Sequence, residues 1–121
     1  LLEGFSVLES KNVIHRDLKL SNILINSGDV VIADFGLSKI GFKVADSIVG
    51  SLPYMAPEML SNDGKSSLYN SKIDVWSLGI CLWVLIFKEF PFQGINIKTI
   101  KRNILLNSGN NSLNSSSLYF L

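Results

Sequence analysis

Apolar positions recur at helical spacing near both ends of the chain. Leu1, Phe5 and Leu8 fall at i, i+4 and i+7, which predicts a helix that ends near residues 10–12, where polar side chains interrupt the pattern. Residues 95–106 carry a second apolar stripe among polar positions and predict an amphipathic helix. Helices are therefore expected near both ends of the chain, at residues 1–12 and 95–106.

Two short apolar runs rich in β-branched residues lie between these helices, at residues 22–25 and 30–33. The Asn-Ser-Gly-Asp cluster at residues 26–29 separates them and is typical of a tight turn, so the pattern predicts a β-hairpin. The strands of an antiparallel hairpin begin and end side by side. We therefore expect Asn22 and Asp34, at opposite ends of this segment, to meet in space.

The run at residues 75–87 contains no charged side chain. It is shorter than the roughly 18 apolar residues that a membrane-spanning helix needs. It predicts a helix that begins at a cap formed by Ser71 or Asp74 and continues to about Lys88. Because this helix is apolar on nearly every side, we expect it to be central in the fold.

The remaining segments are polar or mixed. Residues 38–51 and 61–71 lack a sustained period and are expected to be loops, while residues 57–60 begin with proline and predict a short helix. A run of Asn, Ser and Gly opens the last segment, residues 107–121, which we expect to be a disordered tail. The organisation predicted is one partial domain over residues 1–106, followed by this tail.

Composition restricts the possible partners of the chain. The 121 residues are 47% hydrophobic and carry a formal net charge of +1, so no strong field attracts nucleic acid or an anionic membrane. Cys81 is the single cysteine, which excludes an internal disulfide and suits a reducing compartment such as the cytoplasm. Its apolar surroundings predict a buried, inert thiol.

Three short motifs stand in a fixed order along the chain: His-Arg-Asp-Leu-Lys-Leu-Ser-Asn at residues 15–22, Asp-Phe-Gly at 34–36 and Ala-Pro-Glu at 56–58. Together they resemble the catalytic-loop, metal-binding and activation-segment signatures of eukaryotic protein kinases. Residues 1–106 resemble the C-terminal lobe of a serine/threonine kinase. The resemblance implies a mainly α (α+β) fold in which the small hairpin carries the catalytic and metal motifs.

This resemblance implies a role for each polar residue of the motifs. Asp17 would accept and orient the hydroxyl of a protein substrate, and Lys19 would offset the charge of the phosphate transferred from ATP. Asn22 and Asp34 would bind Mg²⁺, which prefers hard oxygen ligands. Taken singly, Asp17 could instead cap a turn and Lys19 could be a solvated surface residue. Ser51 occupies the position at which the family bridges Asp17 and Lys19, and both Lys19 and Ser51 indicate a Ser/Thr acceptor.

Regulation is implied by Arg16, which precedes the catalytic aspartate. In the family such an arginine pairs with a phosphorylated residue of the activation loop, and Ser47 is the best candidate here. An upstream activating kinase or autophosphorylation would then supply that phosphate. The alternative is that Ser47 is an unmodified loop serine.

Five further residues have structural roles by the same resemblance. His15 would connect the catalytic loop (residues 15–22) to the Asp-Phe-Gly segment, in which Phe35 and Gly36 are structural. Asp74 would accept hydrogen bonds from the backbone near His15. Glu58 normally forms an ion pair with a later arginine, but Arg102 lies too early in the chain, so we expect Glu58 to lack its partner.

The sequence also departs from the family pattern. A glycine-rich phosphate loop, the lysine that holds the ATP phosphates and its glutamate partner are all missing, so we expect the N-lobe to be absent and the 121-residue chain alone to be inactive. We also expect part of the central helix to expose apolar surface. Two functions stay open at this point: a serine/threonine kinase that is competent in a longer form, and a non-catalytic interaction module.

Overall fold

The computed structural model describes residues 2–36, 48–61 and 70–107, and for residues 48 and 49 the backbone alone. Ser47, the predicted phosphorylation site, lies outside the described residues. So do nearly all of the predicted tail and most of the two predicted loops. Every structural statement below refers to the described residues.

The described chain is helix-rich and contains one small antiparallel sheet. Its elements, in chain order, are α1 (Leu2–Ser10), a 3₁₀ turn (Leu20–Asn22), β1 (Ile23–Asn26), β2 (Asp29–Ile32), α2 (Ile48–Ser51), a second 3₁₀ turn (Leu52–Tyr54), α3 (Pro57–Leu60), α4 (Lys72–Phe87) and α5 (Ile97–Asn107). The predicted helices at both ends, the hairpin and the long central helix are all present. Residues 48–51, which we expected to belong to a loop, form a helical turn instead.

The hairpin follows the prediction with strands displaced by one residue. Asn26 pairs with Asp29 across a two-residue loop. Both loop residues have positive φ, 52° at Ser27 and 93° at Gly28, as a type I′ turn requires. The twist of such a turn matches that of the strands it joins, which explains why a short Ser-Gly loop suffices here.

The open end of the hairpin brings the two motifs together. The backbone N–H of Ala33 donates to the carbonyl oxygen of Asn22 at 2.8 Å, one step beyond the last strand pair. Asp34 follows directly on Ala33. The expectation that the hairpin sets its two ends side by side is therefore confirmed at the level of the backbone.

Helix α4 begins directly after Ser71, one of the two predicted caps, but the side chain that caps it is a different one. The side-chain oxygen of Asn70 accepts the backbone N–H of Lys72 at 2.9 Å, whereas Ser71 makes no capping hydrogen bond. Ser71 already has helical backbone angles, which place its hydroxyl poorly for an N-cap. The carboxylate of Asp74 is used elsewhere, as described below. Ser71 is therefore correct as the predicted N-cap in position only, while Asp74 lies inside the helix.

One core joins α4, α5 and the segment between α2 and α3. Its buried members are Leu52, Tyr54, Leu60, Ile80, Cys81, Phe92 and Ile104. Aromatic rings close this core at its edge: Tyr54 meets Phe90 edge-on at 5.2 Å between ring centroids, and Trp76 stacks on Phe92 at 5.8 Å. The core thus holds the 3₁₀ turn 52–54 against the long helix.

The opposite side of α4 is exposed. Its apolar members there are Val75, Leu82, Leu85, Ile86 and Phe87. The helix is therefore buried on one side rather than on nearly every side, and the expected exposure of apolar surface is confirmed. None of the helices in the described ranges is long and apolar enough to cross a membrane.

Cys81 lies on the buried side of α4 with no solvent exposure. Burial raises the pKa of its thiol from 9.0 to about 11. At neutral pH the group is therefore a protonated, unreactive thiol, because only the thiolate is nucleophilic. The prediction of an inert buried cysteine is confirmed.

The C-terminal end of α4 offers a test of backbone conformation. Lys88 ends the helix with φ at 61°, and its N–H donates to Val84 at 2.9 Å. Glycine adopts this left-handed conformation without the strain that a Cβ causes, so Lys88→Gly should raise the free energy of unfolding by about 0.5–1 kcal/mol. Urea unfolding measures the change. Lys88→Ala is the matched control, since it removes the same side chain but keeps the Cβ; an equal gain in both variants would contradict the explanation.

Candidate active site

Asp17 is the centre of a cluster of polar side chains. It is 8% exposed, and both carboxylate oxygens accept hydrogen bonds. Oδ1 accepts the hydroxyl of Ser51 at 2.6 Å, while Oδ2 lies 2.8 Å from the ammonium nitrogen of Lys19 and 3.3 Å from Nδ2 of Asn22. A buried carboxylate requires such partners, because an unpaired charge away from water is costly.

Ser51 completes a triangle with Asp17 and Lys19. Its Oγ accepts a hydrogen bond from Nζ of Lys19 at 2.9 Å and donates its own proton to Asp17. The direction of both bonds follows from chemistry, since a lysine ammonium can only donate and a carboxylate only accepts. The structure thus brings together three residues that the motifs predicted to meet, across 34 positions of sequence.

The orientation of Asn22 is fixed by its neighbours. Its Nδ2 donates to the main-chain oxygen of Asp17 at 2.9 Å and to the carboxylate, so the opposite assignment would place an oxygen against two acceptors. The amide Oδ1 consequently has no hydrogen bond to any described residue. An amide oxygen whose orientation is fixed in this way is suited to a hard cation.

Asp34 supplies the second oxygen donor at the same end of the hairpin. It is exposed, and its Oδ1 accepts the backbone N–H of Gly36 at 3.3 Å. Within the described ranges no three His, Cys, Asp or Glu residues cluster as a closed metal site. Asn22 and Asp34 therefore fit Mg²⁺ only where phosphate and water oxygens complete the coordination, which is the usual way proteins hold this ion with nucleotides.

Backbone geometry explains the glycine of the second motif. Asp34 has a left-handed φ of 63°, and a Cβ on Gly36 would lie 3.2 Å from the Oδ1 of Asp34. This separation is closer than most Cβ contacts, so a side chain at Gly36 would press on the carboxylate. Glycine at position 36 avoids this contact, and the Asp34 carboxylate stays exposed.

His15 connects the catalytic loop to the segment that carries Asp34. The imidazole is fully buried; its Nε2 lies 3.0 Å from the carbonyl oxygen of Ala33, and its Nδ1 accepts the N–H of Asp17 at 3.3 Å. These contacts assign the proton to Nε2. The ring of Phe35 packs on the imidazole at 4.9 Å between centroids. Both nitrogens are occupied by backbone, which makes His15 a positioning residue rather than a proton carrier.

Asp74 anchors the same loop from α4. Its carboxylate is 1% exposed and accepts the N–H of His15 at 2.6 Å and that of Arg16 at 2.9 Å. Arg16 has a left-handed φ of 69°, an uncommon conformation for this residue type. The two hydrogen bonds to Asp74 hold the strained turn that immediately precedes Asp17.

Arg16 and Glu58 complete the predicted set. The Nε of Arg16 is buried without a hydrogen-bond partner, and the proposed phosphate acceptor Ser47 lies outside the described residues. Glu58 is exposed and forms no ion pair with another described residue. Loss of one partner from a buried ion pair strongly lowers the stability of a protein. This loss of stability does not apply to Glu58, because water solvates its exposed carboxylate.

Sequence patterns did not single out Ser77. Its buried hydroxyl lies 2.8 Å from the carbonyl oxygen of Tyr54 and 3.1 Å from that of Ile73. The hydroxyl has a single proton, which we assign to the shorter contact, the one with Tyr54. The sequence signal that could have identified Ser77 is a polar residue three positions after Asp74 in a largely apolar helix.

Comparison with known proteins agrees with this geometry. The model of the protein kinase domain matches residues 1–117. The chain belongs to the protein kinase family. The match extends past residue 106, where the sequence pattern placed the domain boundary, and that boundary stays a prediction.

Individual kinases share much of this sequence. The chain is 49% identical over 86 residues to mitogen-activated protein kinase kinase 1 of Arabidopsis thaliana, covering 68% of the chain and 23% of that protein. It is 44% identical over 98 residues to serine/threonine-protein kinase dst2 of Dictyostelium discoideum, covering 78% and 9%. It is 37% identical over 110 residues to CBL-interacting serine/threonine-protein kinase 17 of Arabidopsis thaliana, covering 86% and 25%. The chain thus spans a quarter or less of the length of these kinases.

Proposed function

We propose that this chain forms the catalytic part of a serine/threonine protein kinase, corresponding to the C-terminal lobe of the domain. The observation that carries the proposal is the triangle formed by Asp17, Lys19 and Ser51, with the amide of Asn22 beside it. A carboxylate that only stabilises the fold needs enough hydrogen-bond donors to balance its charge, and these can come from any part of the chain. Here the donors also come from the three sequence positions at which a Ser/Thr kinase requires them.

We assign to each residue the role that the family resemblance implies and that its contacts support. Asp17 accepts the proton of the incoming hydroxyl and orients its oxygen, and the Lys19 ammonium offsets negative charge on the transferred phosphoryl group. Asn22 and Asp34 would hold Mg²⁺, which would neutralise charge on the ATP phosphates. The hydroxyl of Ser51 forms hydrogen bonds with both Asp17 and Lys19, and so holds the carboxylate and the ammonium group next to each other.

The same triangle supports a proposal for the acceptor class. Lys19 and Ser51 both contact Asp17, and by resemblance to the family both residues indicate a serine or threonine acceptor. Two of the relatives described above are named serine/threonine kinases, which supports this assignment. We therefore propose protein Ser/Thr side chains as acceptors and a cytoplasmic location, consistent with a single reduced cysteine.

Regulation by phosphorylation is a further part of the proposal. The buried and unpartnered Nε of Arg16 is a donor available to an anion. A phosphate on Ser47, introduced by an upstream kinase or by autophosphorylation, would add about two negative charges that this guanidinium can bind.

The function is tested by incubating the full polypeptide in which residues 1–121 occur with Mg-ATP and two peptides that differ only in a serine or a tyrosine. We expect phosphate on the serine peptide alone, and none when EDTA removes the metal. Transfer to the tyrosine peptide would contradict the acceptor assignment. No transfer, together with no nucleotide binding at millimolar ATP, would contradict the kinase and favour the interaction module. The 121-residue chain is assayed beside it, and we expect that chain to be inactive.

A further inference from the structure

Helix α4 presents two buried polar side chains three residues apart on one face. Asp74 accepts the backbone N–H groups of His15 and Arg16, whereas Ser77 donates to the carbonyl oxygen of Tyr54. Residues three apart on a helix lie on the same side, one turn along. One rigid helix therefore contacts the backbone of both segments that meet at the active site.

These two segments carry the partners of the active-site triangle. Asp17 follows Arg16 directly, and Ser51 is joined to Tyr54 by a single 3₁₀ turn that is closed by the N–H of Met55 on Leu52 at 3.1 Å. Ser51 and Leu52 are both buried, so the turn has little freedom of its own. Helix α4 thus fixes the distance between the hydroxyl of Ser51 and the carboxylate of Asp17 through two side chains, Asp74 and Ser77.

We propose that Ser77 is a positioning residue that holds the Ser51–Tyr54 turn in register with Asp17 and Lys19, and so controls how well the acceptor peptide is bound. The inference rests on the proposed kinase function for its catalytic consequence, while its structural part stands on the hydrogen bond itself. Packing alone does not account for a hydroxyl here, because the neighbouring core positions of α4 at Ile80 and Cys81 are apolar.

The competing explanation is that Ser77 merely satisfies its own hydroxyl within the helix. Its second acceptor, the carbonyl oxygen of Ile73, is the usual partner of a serine four residues along a helix. In that case removal of the hydroxyl would leave the 51–54 turn unchanged. The two explanations therefore differ in what happens to the turn, and not only in what happens to the stability of the helix.

The test uses variants that isolate the hydroxyl. Ser77→Thr and Ser77→Val have nearly the same shape and differ in the hydroxyl, while Ser71→Ala removes a serine hydroxyl from the start of the same helix, where it caps nothing. In Ser77→Val and in Ser77→Ala of the full polypeptide we expect the KM for the serine peptide to rise about three- to tenfold, with the KM for ATP unchanged. Ser77→Thr and Ser71→Ala should stay close to the unmodified protein.

Amide hydrogen exchange provides the second readout, which does not depend on activity. Exchange at residues 51–55 should accelerate about three- to tenfold in Ser77→Val relative to Ser77→Thr, with no change in the hairpin 23–32. Equal exchange at residues 51–55 in the Thr and Val variants would overturn the proposal. If no variant transfers phosphate, the kinase function fails, and the exchange comparison still decides whether Ser77 holds the turn.

Discussion

Replacing Asp17 with asparagine should lower the rate of phosphate transfer by about 10²–10⁴-fold, the range expected when a positioned acid–base group is lost. The amide has the size of the carboxylate but cannot accept the proton of the substrate hydroxyl. It also brings an N–H₂ group toward Ser51 and Lys19, which both require an acceptor at this position. The rate is measured on the full polypeptide with the serine peptide under saturating Mg-ATP, so that the loss is assigned to transfer rather than to nucleotide binding.

Asp29→Asn is the matched control for this prediction. It makes the same chemical change at an exposed residue of the hairpin turn, away from the polar cluster. Transfer by this variant should equal that of the unmodified protein. A loss below tenfold in Asp17→Asn, with the fold intact by circular dichroism, would show that Asp17 is not the residue that orients the acceptor.

The local parts of this site could be predicted from the sequence. The hairpin follows from two β-branched runs and a Ser-Gly turn, and all the information that it needs lies within about a dozen residues. Because its strands pair antiparallel, the neighbouring positions of Asn22 and Asp34 follow from topology alone. The triangle at Asp17 was predicted from resemblance to a family, since no pattern in the chain itself connects Ser51 to Asp17.

Other features depended on which of several suitable side chains reaches a given partner, and a sequence pattern does not reveal this. Ser71 and Asp74 are both good N-cap residue types, yet Asn70 caps α4 because its side chain reaches the N–H of Lys72 while Asp74 is turned toward the catalytic loop. Similarly, an uncharged stretch indicated that α4 is apolar on nearly every side and central in the fold, whereas Ile86 is 61% exposed. Hydrophobicity indicates which residues can be buried, and the neighbours present decide which ones are.

The same dependence on which partner is within reach explains why Ser77 was not predicted. A serine in an apolar helix is ordinarily satisfied by the carbonyl four residues before it, so its spacing alone predicts no contact with Tyr54. The contact exists because the 52–54 turn packs against α4 through the apolar core. In this molecule the apolar side chains of α4 bring two distant backbone segments to the helix, and Asp74 and Ser77 then fix them by hydrogen bonds.

The largest loss of stability is expected at Asp74. Replacement by alanine leaves the N–H groups of His15 and Arg16 without their acceptor, and each buried donor left unpaired costs about 1–3 kcal/mol. We expect Asp74→Ala to lower the free energy of unfolding by roughly 2–5 kcal/mol. Asp74→Asn should cost less, because its amide oxygen still accepts one of the two bonds while its N–H₂ group opposes the other. Urea unfolding measures both variants.

Glu9→Ala is the control for the removal of a carboxylate, since Glu9 is exposed on α1, and it should change the unfolding free energy by no more than about 0.5 kcal/mol. A loss below about 1 kcal/mol in Asp74→Ala would contradict the anchoring role. Asp74→Asn separates stability from function. Because Arg16 keeps its left-handed turn only while its N–H is held, a folded Asn variant should still transfer phosphate more slowly, as Asp17 is the next residue in the chain. In the proposed reaction the helix would thus act through the backbone of the catalytic loop, without a side chain of its own at the reacting atoms.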